Sequence, residues 1–374
     1  MTKKLILFDM DGVLLKPGGY HQALKATVNR VGNALGFPTV DLTDDQTAHF
    51  EALSITNEWD TLAISTALML IKAWEHDPDL RLDGHRSSNN TQDGKSPSID
   101  AFLDTFDQVG DLPCHSAYEK ITGENAWLNG DQVAHLQEIL FKARDIYHSL
   151  TLPWHQETVL GSRVFQNNYG LTPQLDTESF LQRYDQPVLT LEKRKELEGW
   201  LADDHYCAGI LTNRPSKTPP GYLSSPEAEL GAELVGMSHL PIVGSGLLAW
   251  FAVSQCGQPD HAFFKPNPIH ALALMQLCCG FPAEDALNKA YKLWQSEGNR
   301  EDWVSFDGST VLVFEDSVKG LQSVSAAQSL LTRIKVTIDT KLFGVSANPI
   351  KRAELAKIAD WVYTDINQVD WETL

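Results

Sequence analysis

The sequence predicts an α/β protein: a parallel β-sheet covered by helices, interrupted by a second, mainly α-helical domain. Two observations point to the sheet. Short apolar runs at 5–8, 208–211 and 311–314 each stop abruptly at polar residues, the pattern of strands buried on both faces. Helical patterns follow the later runs, and strands alternating with helices argue for parallel pairing. A third observation points to the insertion. Between the first run and the second, apolar residues recur at helical spacing over 44–74, 132–150 and 178–184.

Taken in order, the run 5–8 (LILF) ends at Asp9-Met10-Asp11-Gly12, a turn signal. Residues 1–16 together with 190–374 are expected to form the sheet domain, and 17–189 the inserted helical domain. Within the insertion, the block 85–98 (HRSSNNTQDGKSPS) is polar and rich in Ser and Asn, and reads as a mobile loop. The run 208–211 ends at Thr212-Asn213 and the run 311–314 at Glu315-Asp316, while 334–338 is expected as a further strand. The segments 215–258 and 280–305 read as embellishments, the second with an extra helix. Ligands of such sheets bind beyond the carboxyl ends of the strands, so the polar strand ends are expected to converge.

Bulk properties narrow the partners. The chain has 374 residues, 43% hydrophobic, with 49 acidic against 30 basic side chains and a formal charge of −19. That balance excludes nucleic acid and anionic membrane surfaces, which need a positive footprint. An anionic substrate must therefore meet a local cation. The longest apolar stretch, 241–253, is broken by Gly244, Ser245 and Gly246, well short of the roughly 20 residues of a membrane span. The run 5–8 is too short for a signal peptide. Five cysteines without C-x-x-C spacing indicate reduced thiols and a cytoplasmic location; Cys278-Cys279 reads as core. Twelve histidines show no zinc spacing. Self-association as a homo-oligomer stays open.

Asp9 and Asp11 stand two apart behind a strand, and Gly12 lets the chain turn sharply. A carboxylate there can attack phosphorus and form an aspartyl phosphate. The second carboxyl can protonate the leaving oxygen and later take a proton from water. Asp-x-Asp-Gly alone also fits an ordinary turn. Glu315-Asp316 brings two more acids, and four carboxyls in one place repel unless a cation sits among them. Mg²⁺ suits such oxygen ligands and would orient and neutralise a phosphoryl group; taken singly, the pair fits a helix N-terminus equally well. Thr212 and Asn213 can hold phosphate oxygens or act as caps. Lys265, in FKPNP, can offset the charge on Asp9 and the phosphoryl group, or be a surface lysine.

The order of these parts tells more than any one of them. FDMDGVL, ILTNRP, FKPNP and VFEDSVKG resemble the four successive motifs of the haloacid-dehalogenase-like (HAD) phosphohydrolases. The resemblance covers the N-terminal strand and much of 205–374, where FGVS and ADWVYTDINQVD are close to the family's final strand and helix; it hardly touches the insertion. It implies a Rossmann-like, HAD-like core with a helical cap between the first two motifs, the subfamily I arrangement. Such a cap closes over the site, excludes water and reads the leaving group. It implies Asp9 as nucleophile and metal ligand, and Asp11 as general acid/base with its backbone carbonyl on Mg²⁺. Thr212 matches the phosphate-binding hydroxyl, assisted by the Asn213 amide, and Lys265 the charge-stabilising lysine. Asp316 matches the acidic metal ligand, with Glu315 on the metal or reaching it through water. The insertion is longer than a compact helical cap, and 215–258 and 280–305 exceed the usual spacing.

The expected activity is Mg²⁺-dependent hydrolysis of a small phosphorylated metabolite through an aspartyl phosphate. The alternatives are a sugar-phosphate mutase, since the FEDS form occurs there too, and a non-catalytic ligand-binding relative. A dehalogenase is disfavoured because Asp11 is present. For reading the substrate, the insertion offers Asn57, Glu58, Trp59 and Asp60 within a helical pattern, and Trp154-His155 in a Pro-containing loop. Aromatic and amide groups of this kind grip a sugar or ring. The plainer reading makes Trp59 core and His155 a solvated loop residue.

Overall fold

The computed structural model describes residues 3–82, 98–107, 112–203 and 205–371; of the polar block 85–98, only Ser98 lies within them. By its contacts the chain divides into two compact units, Met1–Pro17 with Asp185–Leu374, and Gly18–Tyr184.

The first unit is built on a six-stranded sheet. Its strands are β1 (Lys4–Phe8), β4 (Tyr206–Leu211), β5 (Ile242–Val243), β6 (Thr310–Glu315), β7 (Asp339–Val345) and β8 (Trp361–Tyr363), in the spatial order β5-β4-β1-β6-β7-β8. All pairings are parallel. Period-two alternation supplies the two faces. Leu5 and Leu7 of β1, with Val311 and Val313 of β6, enter one core cluster, whereas Ile6, Phe8, Leu312 and Phe314 enter the other. Apolar packing on both sides is what makes these strands read as unbroken hydrophobic runs. The helices Pro268–Cys278 and Val318–Arg333 contribute Ile269, Leu272, Leu321 and Val324 to the first cluster. Two very short strands, β2 (Leu15–Lys16) and β3 (Gln186–Pro187), pair antiparallel where the chain leaves this unit and returns to it.

One strand lies elsewhere than the sequence suggests. The run 334–338 is not a strand: Ile334 closes the helix Val318–Arg333, Lys335 takes a φ of 61°, and pairing begins only at Asp339. Val336 and Ile338 are nevertheless buried in the core, so the apolar alternation records burial of a connection. The extra helix in 280–305 is Ala283–Trp294, and 215–258 supplies β5 with the helices Glu227–Leu234 and Ser245–Cys256. Cys278 and Cys279 pack, partly buried, against the first cluster.

Among its described residues the second unit contains helices and no strand. Its own core runs from Leu24 to Trp154 and draws mainly on the helices Gly19–Ala34, Glu58–Trp74, Pro113–Glu124 and Gly130–Phe141. The pattern over 44–74 forms two helices, Asp44–Ala52 and Glu58–Trp74. Thr43 and Gln46 close a capping box at the start of the first, and Asn57 caps the second. Trp154 and His155 are not in a loop. They belong to the helix Leu152–Leu160, where Pro153 occupies the first turn, a place whose N–H needs no partner. Both are buried, His155 at 1% exposure. No helix among the described residues is long and apolar enough to cross a membrane.

Candidate active site

β1 is central, and its register aligns Phe8 with Ile210 of β4 on one side and Phe314 of β6 on the other. The next residues are Asp9, Leu211 and Glu315, so the sheet itself sets Asp9 beside Glu315. The Asp9 N–H donates to the Phe314 carbonyl at 2.8 Å. The chain then turns, with the Leu14 and Leu15 N–H groups donating to the Met10 carbonyl. Met10, Val13, Leu14 and Leu15 are buried in the core, which fastens the turn. Gly12 has a φ of 80°, and a Cβ there would lie 2.5 Å from Asp316 Oδ2. Glycine is thus required both for the turn and for the approach of Asp316.

At the end of β6, Glu315 is fully buried and Asp316 has 18% of its side chain exposed. Ser317 caps the helix Val318–Arg333 and donates through Oγ to Glu315 Oε2 at 3.0 Å. Gly320, in the first turn, leaves the space the Glu315 carboxylate fills; a Cβ there would come within 1.9 Å of Glu315 Cδ. The positive end of the helix suits acids at this place.

Lys265 arrives from a loop pinned by Asn267, whose Oδ1 accepts from Ile269 N–H and whose Nδ2 donates to the Ala262 carbonyl. The lysine is buried, its Nζ 2.7 Å from Asp9 Oδ1 and in an ion pair with Glu315 Oε1. Burial, and after it the Glu315 carboxylate, push Asp9 well above the usual carboxylate range, with Asp316 adding to the rise and Lys265 opposing it. Burial raises Glu315 as well, against the pull of Lys265. For Lys265 burial acts downward, but the Asp9 and Glu315 carboxylates outweigh it and raise the ammonium. Excess buried negative charge is what these directions report.

Ligand atoms of Asp9, Glu315 and Asp316 all lie within 4.8 Å of one another. The donors are carboxylate oxygens throughout, which fits a hard divalent cation such as Mg²⁺ and not zinc. Around the ends of β1, β4 and β6, Lys265, Arg214 and Lys351 pair with Asp9, Asp11, Asp185, Glu315 and Asp316. A divalent ion would add positive charge among the three grouped carboxylates.

Thr212 lies one residue beyond β4, the neighbour of β1, and is buried; its N–H donates to the Val243 carbonyl and its Oγ1 accepts from Arg214 N–H. Asn213 is exposed. Asp11 is engaged by Arg214, whose Nε lies 2.9 Å from Asp11 Oδ2 and whose Nη2 lies 2.5 Å from Oδ1. The same guanidinium pairs with Asp185 at 2.8 Å. Asn57 and Trp59 belong to the helical unit. There Asn57 Oδ1 accepts from Trp59 N–H at 2.9 Å as a helix cap, and Trp59 is half-buried, without the burial expected of a core residue.

Backbone comparison places the fold among known ones. A crystal structure solved as a target of the Northeast Structural Genomics Consortium superposes with a TM-score of 0.67 at 19% identity, covering 98% of this chain and 97% of its own. The core is Rossmann-like. A structure named as a phosphatase, from Thermococcus thioreducens, matches at a TM-score of 0.47 and 13% identity over 90% of this chain and 91% of its own, too loosely to carry an argument. No protein-family model matches the chain, and no curated protein matches it in sequence.

Three groups at the site escaped the sequence reading. Arg214 stands inside ILTNRP, two residues after Thr212, yet nothing in a linear chain shows that its partner is Asp11, 203 positions away. Lys351, from the helix Pro349–Leu355, pairs with Asp316 at 2.7 Å and carries no motif. His270 is wholly buried, with Nε2 2.9 Å from the Val243 carbonyl. Burial, and then the nearby Lys265 charge, lower it to about 3, so the ring is neutral.

Proposed function

We propose that the chain is a Mg²⁺-dependent phosphohydrolase of the HAD-like type, acting on a small phosphomonoester through an aspartyl phosphate on Asp9. The observation that carries this reading is the placement of Asp9: at the end of the central strand, beside Glu315 and Asp316, with the Lys265 ammonium 2.7 Å from its Oδ1. The motif resemblance supports the same assignment, and the helical unit 18–184 is then the cap. Asp9, Glu315 and Asp316 would hold the ion, with the Asp11 carbonyl as a further ligand. Bound Mg²⁺ supplies positive charge that neutralises the phosphoryl oxygens.

The residues of the chain do the rest. Lys265 and Thr212 bind phosphoryl oxygens. An Asp9 carboxylate oxygen attacks phosphorus in line, and the bond to the leaving oxygen breaks with its electron pair, which takes a proton from the Asp11 carboxyl. Water then attacks the aspartyl phosphate and gives a proton back to Asp11. The bond from phosphorus to Asp9 breaks, restoring the carboxylate and releasing inorganic phosphate. Asp9→Asn should lower turnover of p-nitrophenyl phosphate in Mg²⁺ by about 1,000-fold or more while the melting temperature holds. Turnover within tenfold of wild type would remove Asp9 from the nucleophile's role.

A further inference from the structure

Lys351 reaches Asp316 from a stretch of chain that is braced at each step. The register of β6 and β7 sets Glu315 opposite Gly344, so the residues that follow the two strands run side by side. Ser346 N–H donates to the Tyr363 carbonyl at 3.0 Å, and Ser346 Oγ accepts from Asn348 N–H at 3.2 Å. Asn348 Oδ1 accepts from the Ile350 and Lys351 N–H groups, and Arg352 Nη1 donates to the Ser346 and Ala347 carbonyls. Leu355, 1% exposed, anchors the far end of the helix Pro349–Leu355. The lysine therefore departs from a fixed backbone, and its Nζ lies 2.7 Å from Asp316 Oδ2. Lys357, just beyond the same helix, pairs instead with Glu354, three residues away. Such a local pair needs no tertiary fold, whereas the pair of Lys351 with Asp316 spans 35 positions and depends on two adjacent strand ends.

Of the three grouped carboxylates, Asp316 is the one solvent reaches most, with 18% of its side chain exposed against 8% for Asp9 and none for Glu315. Lys265 already pairs with Asp9 and Glu315, so Lys351 brings the charge that meets the third acid. An ammonium at that place attracts Asp316 and repels any second cation. With 55% of its side chain exposed on a flexible four-carbon stem, it can swing into water when another cation takes the carboxylate. We infer that Lys351 competes with Mg²⁺ for Asp316, so that uptake of the ion displaces a lysine and the affinity of the site sits below what its three carboxylates alone would give. This rests on the reading of the site as a Mg²⁺ centre.

Calorimetric titration of the full chain with MgCl₂, without substrate, is the test. Lys351→Met removes the competing charge and should bind Mg²⁺ about 3- to 10-fold more tightly than wild type. Lys351→Arg keeps the charge and should stay within about twofold of wild type, as should Lys357→Met, which removes a lysine that pairs elsewhere. Raising KCl from about 0.05 M to about 0.5 M should narrow the gap between Lys351→Met and wild type, because exposed charges are screened. Unchanged affinity in folded Lys351→Met overturns the inference. So does weaker binding, which would make the lysine a brace that orients Asp316 for the ion. If wild type and variant both take up no Mg²⁺, the reading beneath falls as well, so the two failures are told apart.

Discussion

The two units meet their buried acids in different ways. In the helical unit each stands alone and is matched. Asp60 is held by Arg144 at 2.6 Å, with 48% of the arginine side chain exposed, and the Cys114 thiol donates to it. Glu157 pairs with no cation among the described residues but accepts from Ser162 Oγ and from the Gln174 and Leu175 N–H groups. At the strand ends of the sheet unit, by contrast, the buried Asp9 and Glu315 share one lysine. Satisfied acids tie helices together. Undersupplied ones hold a potential that an additional cation or a transferring group can relieve, and functional sites store imbalance of this sort. The difference sets the strand ends of the sheet unit apart as the place where the proposed chemistry would be done.

The sharpest way to break that comparison is to remove one cation from each unit. Lys265→Met strands Asp9 and Glu315, and loss of one partner from a buried pair costs about 3–5 kcal/mol. Millimolar Mg²⁺ should return part of it by binding the folded state. Arg144→Met also strands a buried acid, Asp60, and should cost about 2–4 kcal/mol, but it should show no response to Mg²⁺. Thermal unfolding of both variants with and without the ion is the measurement. Equal responses to Mg²⁺ would erase the distinction between the units.

A second test uses protonation in the helical unit alone. Burial lowers His155 to about 4 from its ordinary 6.5. The unfolded chain therefore takes up a proton before the folded one does. The stability tied to this ring is whole above pH 6.5 and is lost as pH falls toward about 4. Between pH 6.5 and 5 that loss is roughly 2 kcal/mol. In urea titrations His155→Gln should lose less stability than wild type over this interval by about that amount; parallel curves would show the ring to be accessible. The smallest expected effect is at Asn57. As a helix cap it is worth about 1 kcal/mol, which Asn57→Ala should forfeit with KM unchanged. A tenfold rise in KM at constant melting temperature would give Asn57 the substrate-reading role first expected of it.

Much of the sheet could be read in the chain because β1, β4 and β6 are apolar on both faces and end at polar residues, a signal local in sequence. The connection at 334–338 misled for the same reason: Val336 and Ile338 are as buried as strand residues but lack pairing, and pairing leaves no local trace. At the site, Asp9, Glu315 and Asp316 were legible as motifs at strand ends and Lys265 within FKPNP, and the structure brings these four side chains together. Arg214 and Lys351 were not, since an ion pair between distant elements depends on packing that no short window contains. His155 looked solvated because proline beside tryptophan suggests a loop, whereas proline in the first turn of a helix is equally at home.

The small ribbon of β2 and β3 governs how freely the length of the inserted segment can vary. Its two strands are hydrogen-bonded neighbours, so the points of departure and return lie side by side whatever is spliced between them. Closing a loop over ever more residues raises the entropic cost only logarithmically. With both ends fastened in this way, adding or removing residues within 18–184 changes the cost of closure only slightly.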